Sequence, residues 1–188
     1  MIYFWYFVIY SFFGFVLESS YAFLKTKKVG NCKCFLLSPL CPVYGFGAVF
    51  SVLLLSPVNQ NMVLVFLGGF FVCSLVEYIT GYIYERLMHV SFWDYSKHPL
   101  NIHGRICLPF SMVWGILILG LIYFVHPTLK NIMWNISPLF TWLALGFLLF
   151  DGLISIKFLR KNCSVESLNW VNKFYQIFFA GKTPMAEE

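Results

Sequence analysis

Charge is what this 188-residue chain has least of: Asp, Glu, Lys and Arg make up 11% of it, against 60% hydrophobic and 21% aromatic residues. Soluble domains carry roughly 25% charged and 45–50% apolar residues, so this chain lacks the polar surface to wrap a water-soluble globule. A soluble enzyme is excluded. The formal net charge is +5, yet no basic stripe of the kind that grips nucleic acid is present, so no nucleic-acid partner is expected. A nucleotide loop is missing too. Gly181-Lys182-Thr183 resembles the end of one, but Gln176 stands where its first glycine belongs and no strand precedes it. The first apolar run has no basic residue before it and no small-residue cleavage site after it, so it reads as a retained span and not a secretory signal.

Cysteine is present, at Cys32, Cys34, Cys41, Cys73, Cys107 and Cys163, but without a framework. Cys32-Lys33-Cys34 lacks the second thiol pair that a soft-metal site needs, so no metal and no cofactor are expected. The topology below puts Cys32, Cys34 and Cys163 on the reducing side of a membrane and Cys41 and Cys107 near it. No disulfide framework is expected there.

Apolar runs dominate, and the mean hydropathy is +0.75. A helical span needs about 20 apolar residues, and lipid admits only helices or closed barrels. These runs are too continuous for barrel strands. The expectation is an all-α membrane protein with five spans, at about 2–24, 35–55, 62–88, 106–125 and 136–158, as one domain over 1–158. An interfacial tail covers 159–188. In that tail Val165, Leu168, Val171, Phe174, Tyr175 and Phe178 fall on one face and Glu166, Asn169, Asn172 and Gln176 on the other. This is the pattern of an amphipathic helix lying on a membrane or docking to a partner.

The basic residues alternate. Taken after span one and then between successive spans, Lys and Arg number 4, 0, 3, 1 and 5, which accounts for all 13. The positive-inside rule then puts the N-terminus outside and the C-terminus in the cytoplasm.

Ionisable residues within the spans are the informative ones, because such groups are costly in lipid and face the bundle interior. Glu18, Glu77 and Asp151 fall at matching distances along spans one, three and five, which enter from the same side. A shared acidic layer in the cytoplasmic half follows. On span three Glu77, Thr80, Gly81, Tyr84 and Glu85 recur at helical spacing and form one polar stripe. These acids either line a polar cavity or hold helices together through Arg86, Arg105 or backbone donors.

Span two enters through Ser38-Pro39-Leu40-Cys41-Pro42-Val43-Tyr44-Gly45-Phe46-Gly47, where prolines remove donors and glycines loosen a helix. Either the helix is broken near its cytoplasmic end and builds a site, or a loop ends at the interface and the helix starts at Pro42. The third connection carries Trp93, Asp94, Tyr95, Ser96, His98, Asn101, His103 and Arg105. Asp94 with His89, His98 and His103 offers an acid/base or metal cluster, although the histidines lack ligand spacing. Arg105 suits an anionic group or a partner in the acidic layer. Asp94 and Arg105 are the weak catalytic candidates. The candidate substrate or ion ligands are Glu18, Tyr44, Glu77, Thr80, Glu85, Trp93, Asp94, Asn101, Arg105 and Asp151.

Tyr10-Ser11-Phe12-Phe13-Gly14 with Glu18, Cys41-Pro42-Val43-Tyr44-Gly45-Phe46-Gly47, Glu77-Tyr78-Ile79-Thr80-Gly81 with Glu85, Trp93-Asp94-Tyr95-Ser96, and Asn101-Ile102-His103-Gly104-Arg105-Ile106-Cys107-Leu108 together resemble the bacterial ABC-transporter type IV membrane family. The likeness runs from about Tyr10 to Gly115 and is carried by the ordered set of blocks. It implies a multi-pass protein of the bacterial plasma membrane with a permease-like role and names no substrate. A separate ATPase or other membrane subunit would then supply energy, and a chain this small is expected to form homo-oligomers or join a larger partner within the lipid bilayer. The alternatives are a membrane-embedded enzyme acting on a lipid-linked substrate at the cytoplasmic leaflet, with Glu77 or Asp94 as base and Arg105 on a phosphate, or a structural or regulatory subunit.

Overall fold

The computed structural model describes residues 1–27, 34–132, 136–163 and 165. Its elements are α1 (Ile2–Thr26), α2 (Pro42–Leu55) with a 3₁₀ turn at Ser56–Val58, α3 (Met62–Met88), a two-residue antiparallel pair β1 (Asn101–Ile102) and β2 (Ile106–Cys107), α4 (Leu108–Gly120), a π-helical turn at Leu121–Val125, α5 (His126–Ile132) and α6 (Pro138–Asn162). Four helices are long and apolar enough to cross a membrane: Ile2–Lys25, Met62–Met88, Leu108–Asn131 and Pro138–Lys161. The all-α membrane class holds.

Local chemistry sets the ends. Proline opens α2 and α6 and sits in the first turn of α4, where its missing N–H costs nothing. The Asn61 side chain caps α3 by accepting from the Val63 and Leu64 amides at 3.0 and 3.2 Å. The span expected at 106–125 continues through the π turn into α5. The helix expected to end at 158 runs on to Asn162, so the tail begins later than 159. The amphipathic pattern from Glu166 onward lies outside the described residues.

For span two the alternative of a helix that starts at Pro42 holds. Residues 35–41 form a non-helical loop, so there is no break within the helix itself. Pro42 disfavours a helical conformation at the residue before it, and Cys41 is extended at φ −107° and ψ 96°. This loop is not at the surface. The Cys41 amide donates to the Ser11 carbonyl at 2.9 Å, and Ser11 lies about 22 Å along α1 from its Thr26 end at ~1.5 Å per residue. Irregular backbone at such depth is tolerated only when protein satisfies it. The other end of the loop is joined to this point by a disulfide, Cys34–Cys41, with Cα atoms 5.3 Å apart. That bond corrects the expectation of free thiols. A reading of compartment alone missed how far the loop folds back.

The helices pack in chain order, α1 on α2, α2 on α3 and α3 on α4. Without a hydrophobic drive between helices in lipid, close contact relies on small residues and polar pairs. A Cβ at Gly69 would stand 2.6 Å from the Ile118 Cβ, and one at Gly14 would collide with the Tyr44 side chain. Ser74 donates to Ser111 at 2.7 Å across α3 and α4. Helix α6 is held at its ends. Trp5 donates to the Thr141 hydroxyl at 3.0 Å and stacks on Phe140, while fully buried Leu159 joins Tyr84, Met88, Val90 and Phe92. Between them, Trp142, Leu143, Phe147 and Phe150 are exposed apolar surface of the kind that lipid covers.

Candidate functional site

A hairpin-like connection lies over one end of the bundle. The Tyr95 amide donates to the Gly104 carbonyl at 2.8 Å, and the Asn101 side chain donates to the Ser96 and His98 carbonyls while accepting from the Gly104 amide. Gly104 has φ +67°, the left-handed region that glycine adopts without strain. Asp94 accepts from the Ser96 hydroxyl at 2.5 Å and its amide at 2.9 Å, and these bonds hold its carboxyl below the usual range. The connection is therefore fixed, and it presents Trp93 and Tyr95 inward. The Trp93 indole donates to the Arg105 carbonyl at 2.8 Å.

Beneath it lies a cavity of about 80 Å³. Its two acids are Glu18 from α1 and Glu77 from α3. Glu77 is 4% exposed and both its oxygens are engaged, Oε1 by the Tyr95 hydroxyl and Oε2 by the Trp114 indole, each at 2.9 Å. Glu18 Oε2 accepts from the Tyr44 hydroxyl at 3.0 Å. Tyr44 and Trp114 lie against each other with ring centroids 4.8 Å apart, which links the two acids through a pair of aromatic donors. Tyr84, Trp93, Phe35 and Phe92 complete the aromatic wall, and the Cys34–Cys41 bond with Pro42 closes the side facing α2. Burial, then the nearby Glu77, raises the Tyr95 phenol above its ordinary range, so it remains a donor.

Among the described residues the lining contains no Lys, Arg or His. Every side-chain donor that reaches Glu18 or Glu77 in the described residues is neutral. The chemistry suits a cation or protons and opposes an anion. A second, larger space adjoins it, an apolar groove of about 650 Å³ between α1, α2 and the α4 segment, and Tyr44 and Trp114 line both.

The expected acidic layer separates. Glu18 and Glu77 share the cavity, but Asp151 spends its carboxylate on the loop before α2, accepting from the Leu37 amide at 3.1 Å, the Ser38 amide at 2.9 Å and the Ser38 hydroxyl at 2.5 Å. Arg105 is not available for an anion. It grips Glu85 Oε2 through Nε at 2.9 Å and Nη2 at 2.6 Å and donates to the Tyr78 hydroxyl at 3.2 Å. Thr80 bonds back to the Val76 carbonyl at 2.6 Å and does not line the cavity, nor do Glu85, Asp94 and Asn101. Tyr44 and Trp93 do. His103 meets the Tyr78 hydroxyl and His98 packs on Phe110, so the histidines and Asp94 form no common cluster. Among the described residues no group of three or more His, Cys, Asp or Glu is placed to hold a metal.

Sequence reasoning passed over Trp114, Phe35 and Phe92, and it named Tyr84 in the polar stripe and Tyr95 in the connection without counting either among the candidate ligands. In a chain with 21% aromatic residues, aromatic identity gives no contrast, and nothing in the spacing marks Trp114 as the donor to Glu77. A family model described as Putative ABC-transporter type IV matches residues 5–156. Comparison with curated proteins and with solved structures returned no match.

Proposed function

The chain belongs to the ABC-transporter type IV family, and on that premise we propose that it is the membrane-embedded component of a bacterial transport system, with its cargo held between Glu18 and Glu77. One observation carries the choice of site: a deeply buried carboxylate, Glu77, lines a cavity with a second acid and among the described residues has only neutral donors. Uncompensated charge at membrane depth is costly, and such residues commonly mark the path of an ion or substrate. The alternation of basic residues supports reading this end of the bundle as cytoplasmic. In this reading a separate subunit supplies any ATP hydrolysis. Of the candidates of an enzymatic reading, Asp94 is engaged in a turn and Arg105 with Glu85, which leaves Glu77 in the cavity without the phosphate-binding arginine beside it.

Purification from native membranes in a mild detergent tests the assignment. A stoichiometric ATPase partner whose hydrolysis falls when the chain carries Glu77→Gln supports it. A chain that purifies without any ATPase and converts a lipid-linked substrate on its own overturns it.

A further inference from the structure

The cavity and the groove have complementary chemistry and a common wall. The cavity is acidic, aromatic and small; at about 80 Å³ it falls well below the ~300–1,000 Å³ of sites that enclose a whole organic ligand. The groove, at about 650 Å³, has that capacity, and it is lined by Phe13, Leu17, Ile116 and Phe124, with no charged residue among the described ones. Tyr44 and Trp114 border both, so the two spaces adjoin across one pair of aromatic side chains. Phe13, Leu17, Ile116 and Phe124 are also exposed on the apolar exterior, which gives the groove an entrance from lipid. Gly120 and the π turn at Leu121–Val125 shape one side, and π turns inserted in α-helices recur at functional sites.

We infer that the two spaces form one site for a cationic amphiphile, with an ammonium head between Glu18 and Glu77 and an apolar tail in the groove. The head has two carboxylates and the faces of Tyr44, Trp114, Trp93 and Tyr84 to meet, a setting that favours cations over neutral or anionic groups. Among the described residues the lining offers an anionic headgroup no cation, and the adjacent Arg105 is paired with Glu85. This inference rests on the cavity being the cargo site and adds the class of cargo.

The test is binding of dodecylammonium to the purified full chain in phosphatidylcholine nanodiscs, with ethylammonium, dodecanol and dodecyl sulfate as comparison probes. Saturable dodecylammonium binding is expected, with ethylammonium weaker by roughly tenfold or more and neither dodecanol nor dodecyl sulfate competing. Glu18→Gln with Glu77→Gln should weaken it by a similar factor. Gly120 lines the groove and has nothing within 4 Å of where a Cβ would stand, so Gly120→Leu adds bulk on that side. That variant should weaken dodecylammonium and leave ethylammonium unchanged, even if the acid variant does not fold. Equal uptake by wild type and Gly120→Leu, or equal affinity for dodecanol, would mean only an ordinary lipid chain occupies the groove and overturns the inference. Glu77-dependent transport of an anionic or neutral cargo would overturn the ligand class while leaving the transport reading intact. Tight dodecylammonium binding without any associated ATPase would do the reverse.

Discussion

The Trp114 indole donates to Glu77 Oε2 over 2.9 Å, joining α4 to the buried acid of α3 across 37 positions of sequence. Removing that donor leaves a carboxylate oxygen of a residue only 4% exposed without its bond. Trp114→Phe should cost about 1–3 kcal/mol of stability. Glu77→Leu combined with Trp114→Phe should cost less than the two changes summed, because the second removes the orphaned acceptor. Thermal unfolding in detergent reads both.

Gly14 and Gly146 give opposite results when changed to Ala. At Gly14 the new methyl collides with Tyr44, whose hydroxyl serves Glu18, and overpacking of this kind costs about 1–3 kcal/mol. At Gly146 no atom lies within 4 Å, and replacing a helix-interior glycine gains roughly 0.5–1 kcal/mol. The same unfolding assay separates them.

Asp151→Ala should release the loop before α2. The Leu37 and Ser38 amides lose their acceptor, while the disulfide still holds residues 34 and 41 together. Hydrogen exchange should rise at Leu37 and Ser38 and stay low in α3. No change at those two amides would show that Asp151 does not anchor the loop.

Asp94 makes the cover of the cavity sensitive to acid. Its bonds to Ser96 lower its proton affinity in the folded chain, so the stability they give is complete above the ordinary carboxylate range and is lost as pH falls through the lowered value. Exchange at residues 94–104 should therefore increase only at strongly acidic pH, and Asp94→Ala should show the increased exchange already at neutral pH.

Orientation is open to a labelling test. Cys163 is exposed, next to Arg160 and Lys161, whereas Cys73 and Cys107 are buried and Cys34 and Cys41 are bonded. In a Cys32→Ser background, a membrane-impermeant maleimide should label Cys163 in inside-out vesicles and not in intact cells. Labelling in intact cells would reverse the proposed topology.

Hydropathy located α3 at Met62–Met88 because one long apolar run lies between Asn61 and the left-handed His89 cap. It also placed Glu18, Glu77 and Asp151 at comparable depth. Depth along a helix is legible from residue counts, but the direction a side chain faces is set by packing, and that sent Asp151 to the Ser38 loop instead of the cavity. Arg105 was legible as a cation near acids, and its choice of Glu85 over Glu77 depended on how the 89–107 connection closes. The Cys34–Cys41 pair was hidden for a similar reason: sequence shows the seven-residue separation, and only the fold shows the loop turning back on Ser11.

Native mass spectrometry of the chain released from its own membranes tests the central claim most directly. Wild type should carry a small organic species that survives mild activation, and the Glu18→Gln, Glu77→Gln variant, folded to the same extent, should lack it. The same bound species on both proteins would contradict the assignment of this cavity as the cargo site.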